Sequence, residues 1–184
     1  MKKGFWMTLW FLECLISKMT DHTKGFVRQR GNIFEDVADV RIKQFESANA
    51  TAEVENALIF NSSRKISEFW TSNLKHTIFF PERFRIKMIN SIVTHNHPRG
   101  FDLSIADILT LLRNNLAEIR AVTSNGDVFS MKYKGKLINK DKLIDDIEEI
   151  QKDFTKNGGS LEDEFEQVYN AIKNDVEYIH YTKQ

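Results

Sequence analysis

The chain has 184 residues, 28% of them charged and 41% hydrophobic, and its 26 basic residues are balanced by 26 acidic ones. That length supports one domain of ordinary size with helical additions, and the zero formal charge excludes a global electrostatic pull toward nucleic acid or an anionic membrane. A single cysteine, Cys14, excludes an intramolecular disulfide and any Cys-x-x-Cys metal or redox pair, which fits a cytoplasmic, reducing setting.

At the N-terminus, Lys2-Lys3 precede an apolar stretch from Gly4 to Leu12 that loosely imitates a cleaved signal. Glu13 interrupts it, no small-x-small cleavage site follows, and it falls short of the ~20 apolar residues of a membrane span. It reads as a helix docking on the domain or on a partner, with Met19 offering an internal start. Residues 33–48 place Phe34, Val37, Val40, Ile42 and Phe45 at roughly helical intervals and predict a helix. Residues 1–50 are therefore expected to form an N-terminal helical extension.

The texture then turns strand-like. Residues 54–60 and 65–70 flank the polar turn Asn61-Ser62-Ser63 and read as a hairpin. Thr77–Phe80 reads as a further strand stopped by Pro81, which then opens a short helix over 81–89. Ser91–Thr94 is short and β-branched, the mark of a buried strand. Ser104 is placed to cap a helix through Asp107, Leu109, Leu112 and Leu116. Residues 119–123 and 128–133 flank Asn125-Gly126, a pair favoured in tight hairpins, so a sheet of about five strands is expected. Beyond Lys136, one stripe (Leu143, Ile144, Ile147, Ile150, Phe154) and another (Leu161, Phe165, Val168, Ile172, Val176, Ile179) predict a helical hairpin over 137–184.

The chemistry concentrates where the buried strand ends. Residues two apart on an extended segment project to the same side, so His95 and His97 can offer two imidazoles to one point. A catalytic zinc takes three protein ligands, a carboxylate among them, and Asp107 at the start of the next helix is the natural third. Pro98 and Gly100 turn the chain sharply in between.

His95-x-His97-Pro98 followed by Ser104-x-x-Asp107 resembles the signature of the JAMM (MPN+, JAB domain) zinc metalloproteases. The string His95-Asn96-His97-Pro98-x-Gly100 is most similar to their RadC-like and phage-associated bacterial branch, although Gly100 to Ser104 is one residue shorter than the commoner RadC-like form. The resemblance covers about residues 53–133 and implies a catalytic core over 51–136. That core would be an α/β fold of the cytidine-deaminase-like kind, a curved and mostly antiparallel sheet flanked by helices. It further implies zinc held by His95, His97 and Asp107, with Ser104 stabilising the oxyanion and an upstream glutamate as general base. Glu55, which directly precedes an apolar run, is the choice for that base; Glu53 would face the same side of a strand, and Glu68 is a distant third. The activity implied is hydrolysis of a peptide or isopeptide bond in a protein substrate, such as a ubiquitin-like or tail segment.

Plainer readings stand beside these. Ser104 serves equally as a helix cap, Asp107 as a first-turn carboxylate, and Glu53 and Glu55 as a solvated strand edge. The capping and oxyanion roles compete for the same Ser104 hydroxyl. His22, His76 and His180 have no partner at metal-ligand spacing, and Trp6, Trp10 and Trp70 read as core or docking residues. A catalytically weak JAMM-like binding module, or a RadC-like DNA-associated protein using Arg83, Arg85, Lys87 and Arg99, are the competing functions.

Overall fold

The computed structural model describes residues 33–182 apart from 62, 65, 101 and 135–138. The apolar N-terminal stretch, with Trp6, Trp10, Cys14 and His22, lies outside the described residues.

Period-two alternation organises the centre of the chain. Strands β1 (Asn56–Asn61), β2 (Ile66–Thr71), β3 (Ile92–His97), β4 (Glu118–Thr123), β5 (Val128–Tyr133) and β6 (Val176–Tyr181) form one sheet in the order β2-β1-β3-β4-β5-β6. All neighbours are antiparallel except β3 and β4, which run parallel and are joined through a helix. β1 and β3 sit inside the sheet and are largely buried on both faces, β1 by its apolar Ala57–Phe60 run and β3 with polar side chains that find partners inside.

Helices cover both faces. On one, α1 (Ile33–Asn49) packs Ile42 and Phe45 against Leu58, Phe60 and Ile92. The opposite face carries α2 (Glu82–Met88), α3 (Ile105–Arg113), α4 (Lys140–Asn157) and α5 (Leu161–Ile172). Its core joins Ile59, Val93, Ile119 and Met131 of the sheet to Met88, Leu111, Leu112, Ile147, Val168 and Ile172 of those helices. Truncating one such fully buried leucine to alanine costs about 2–5 kcal/mol.

The expected mixed α/β fold with a mostly antiparallel, helix-flanked sheet is present, with six strands in place of about five. The antiparallel pairs β1–β2 and β4–β5 form as expected, and Gly126, at φ 92°, supplies the left-handed turn residue between β4 and β5.

Three expectations are corrected. Thr77–Phe80 is not a strand: the carbonyls of Thr77 and Phe79 accept from Ser72 Oγ and Trp70 Nε1, so side chains rather than a neighbouring strand satisfy them. The C-terminal helical hairpin ends at Ile172, and Val176–Tyr181 is a strand pairing with β5, so the sheet draws its last member from beyond residue 136. The spacing Ile172-Val176-Ile179 imitates a helical stripe, but the alternating Val-x-Tyr-x-His run suits a strand. Val40, assigned to the apolar stripe of α1, is exposed, as is Leu161 at the head of α5. Among the described residues no helix is long and apolar enough to cross a membrane.

Candidate metal centre

β3 carries the site because of where it lies. Along it, Val93, His95 and His97 face the α3 side of the sheet, while Thr94 and Asn96 face the α1 side. The turn after His97 closes through a Gly100 N–H donating to the His97 carbonyl at 3.0 Å, with Gly100 at φ 78°, a conformation that a side chain would strain. The chain then returns to the side that His95 and His97 face as α3.

α3 begins with a capping box. Ser104 Oγ accepts from Asp107 N at 3.2 Å, and Asp107 Oδ2 accepts from Ser104 N at 2.8 Å and from Ser104 Oγ at 2.7 Å. Those bonds aim the carboxylate back at the strand end, where its Oδ1 lies 3.0 Å from His95 Nε2 and its Oδ2 lies 3.4 Å from His97 Nε2. The two imidazole Nε2 atoms are 2.8 Å apart. His95 and Asp107 are buried and His97 is half-buried. Zinc bonds of about 2.0–2.2 Å in a tetrahedron set ligand atoms roughly 3.4 Å apart. The donor atoms converge, with the two Nε2 atoms closer together than such an ion would hold them, and His95, His97 and Asp107 together could hold a metal ion.

Burial opposes ionisation of Asp107, but the adjacent His95 and His97 overrule it and hold its carboxyl well below the usual carboxylate range. The anionic form of Asp107, the form in which a carboxylate ligates, is thereby favoured.

Glu55 sits immediately before β1. The ladder between β1 and β3 begins with Ala57 opposite His95, two residues after Glu55. Its side chain is buried and lines a cleft of about 920 Å³ together with His95, His97, Ser104 and Asp107. Burial pushes its pKa up, with His95 and His97 pulling the other way and Asp107 reinforcing the rise. Glu53 is exposed and is not among the residues lining that cleft, and Glu68 pairs with Lys87 on β2 and α2.

The rest of the cleft comes from elements that the sequence did not connect to the site. The loop after β2 contributes Lys75, His76, Ile78 and Phe80, and the first turn of α5 contributes Leu161, Glu162 and Phe165. No local pattern marks these positions, because only the tertiary fold brings them to the strand end. Asp102 of the intervening loop accepts from Tyr178 Oη at 3.1 Å, so β6 also anchors the segment between the histidines and Asp107. Of the basic residues noted in the sequence, Arg83 lies over the Trp70 and Phe84 rings and Arg85 pairs with Glu82. Lys87 pairs with Glu68, and Arg99 Nη2 meets His76 Nε2 at 2.9 Å. His180 stacks on Phe129 and lies 3.6 Å from Asp127, away from the trio.

No protein-family model, no curated protein and no solved structure matches this chain.

Proposed function

We propose that this chain is a zinc-dependent hydrolase of the JAMM (MPN+) type, with the RadC-like kind of metal motif, that cleaves a peptide or isopeptide bond in a protein substrate. The observation that carries the reading is one cleft holding two convergent imidazoles, an ionised carboxylate and a second buried carboxylate of raised pKa. Two nitrogen donors and one carboxylate form a ligand set that catalytic zinc accepts while leaving a position open. Zinc, when bound, supplies Lewis acidity toward water and toward the carbonyl to be cut.

The protein's own groups divide the remaining work. Asp107 stays ionised and ligates. Glu55, whose pKa burial raises, takes a proton from the attacking water and returns it to the leaving amine. Ser104 holds Asp107 through its hydroxyl, and serving the oxyanion of the substrate requires that hydroxyl to leave Oδ2. A cleft of about 920 Å³ lined by Ile78, Phe80, Leu103 and Phe165 suits an extended segment of polypeptide.

Zinc-loaded parent and Glu55→Gln, assayed on fluorogenic peptide and isopeptide substrates, test the reading. Cleavage by the parent and a loss of roughly 10²-fold or more in Glu55→Gln, with zinc retained, is expected. Equal rates in the two proteins, or a zinc-loaded parent that cleaves none of the substrates, overturns the hydrolase in favour of a binding module.

A further inference from the structure

Asn96, the residue between the two histidines, points away from the cleft and is wholly buried. Its carboxamide spans the backbone on either side of Glu55. Asn96 Oδ1 accepts from Asn56 N at 2.8 Å, while Asn96 Nδ2 donates to the Val54 carbonyl at 3.0 Å and to the Ala52 carbonyl at 3.4 Å. A backbone N–H only donates and a carbonyl only accepts, so this orientation of the amide is dictated by its partners.

The peptide groups of Glu55 itself are held from the other side. Glu55 N donates to the Leu74 carbonyl at 2.8 Å, and the Glu55 carbonyl accepts from Thr71 Oγ1 at 3.1 Å. Asn56 Nδ2 in turn reaches Asn49 Oδ1 at 3.1 Å, which ties the same segment to the end of α1. The regular β1–β3 ladder begins only at Ala57, so at residues 54–56 the Asn96 side chain takes the place of the strand pairing.

We infer that Asn96 is the positioning residue for Glu55: it registers the segment carrying that carboxylate against the strand whose neighbouring residues are the two imidazole ligands. Residues 95–97 then perform both tasks by alternation, two side chains forward to the metal centre and one backward to the support of the base. A side chain lacking either the donor or the acceptor releases one flank of Glu55, and misplacement of a catalytic group by about 1 Å is enough to cost some 10²-fold in rate. The inference rests on the reading of Glu55 as the base and extends it to how that base is held.

Two measurements on the full chain decide it, using Asn96→Ala and the milder Asn96→Ser. Amide hydrogen exchange needs no metal: the Asn56 amide is expected to exchange at least about tenfold faster in both variants, with Leu58 and Ile59 unchanged. Unchanged protection at Asn56 overturns the clamp. The second readout is the visible spectrum of the cobalt-loaded protein against pH. Glu55→Gln is expected to move the midpoint of the spectral change, Asn96→Ala to move it in the same direction, and the double variant to move it no further. A parent-like midpoint in Asn96→Ala beside a shifted one in Glu55→Gln overturns the positioning role. A parent that takes up no cobalt, or an unmoved midpoint in Glu55→Gln, counts against the metal or base reading instead, and the exchange result then decides the clamp alone.

Discussion

The two faces of β3 bury charge in opposite ways. On the α1 side, Glu46 accepts from Thr94 Oγ1 at 2.9 Å and from Arg120 Nε and Nη2 at 2.6 and 3.1 Å. Arg120 Nη1 also reaches Glu118 Oε1 at 3.0 Å, and Ser130 donates to that same oxygen at 2.6 Å. The network is closed by the chain's own guanidinium. On the cleft side, His95, His97, Asp107 and Glu55 gather without a lysine or arginine pairing with either carboxylate among the described residues. One face satisfies itself; the other gathers donor atoms that could hold a cation. A buried ion pair of the first kind ties α1 to the sheet, whereas a cluster of the second kind leaves its donor atoms facing the cleft.

The largest effect that sharpens this contrast is on the closed face. Glu46→Ala leaves Arg120 buried without its main counter-charge, and a loss of about 3–5 kcal/mol in urea denaturation is expected. Zinc uptake per folded molecule is expected to persist, because the cleft-side ligands come from other residues; loss of uptake from folded protein would merge the two faces into one unit.

The next effect is a change of slope with pH on the open face. Asp107 is held below its ordinary pKa, so its contribution to stability is complete above the normal aspartate range near pH 4 and drains away as pH falls through the lower folded value. Metal-free parent is therefore expected to lose stability more steeply below about pH 4 than Asp107→Asn, in matched denaturation curves. Parallel curves would show that the carboxylate gains nothing from its histidine neighbours.

The smallest effect falls on the cap. Ser104→Ala removes the N-cap acceptor of α3 and the hydroxyl bond to Asp107, and about 1 kcal/mol of stability is expected to go with them. Loss of that support for a ligand is also expected to weaken zinc binding on the order of tenfold, measured by competition with a chelator. Unchanged zinc affinity would confine Ser104 to helix capping.

Much of the open face was legible in the sequence because its signals are local. His95 and His97 are two apart on a strand and Asp107 is three after a capping serine, short-range patterns with a fixed geometric meaning, whereas an upstream glutamate was expected only through the family resemblance. The choice of Glu55 over Glu53 was not legible, since alternation puts both on one side. It is the start of the strand and the depth of the cleft that separate a buried Glu55 from an exposed Glu53. The closed face was invisible for the opposite reason. Glu46, Thr94, Arg120 and Ser130 lie on four different elements, and only the sheet order makes them neighbours. β6 failed by ambiguity, because Ile172, Val176 and Ile179 fit a helical period as well as the end of a helix followed by a strand.

The central claim is that the open face is a zinc site, and zinc-edge anomalous diffraction from zinc-soaked crystals tests it most directly. A single strong peak is expected within about 2.0–2.2 Å of His95 Nε2, His97 Nε2 and an oxygen of Asp107. Crystals with no anomalous peak among those three side chains, or with zinc bound only elsewhere, would contradict it.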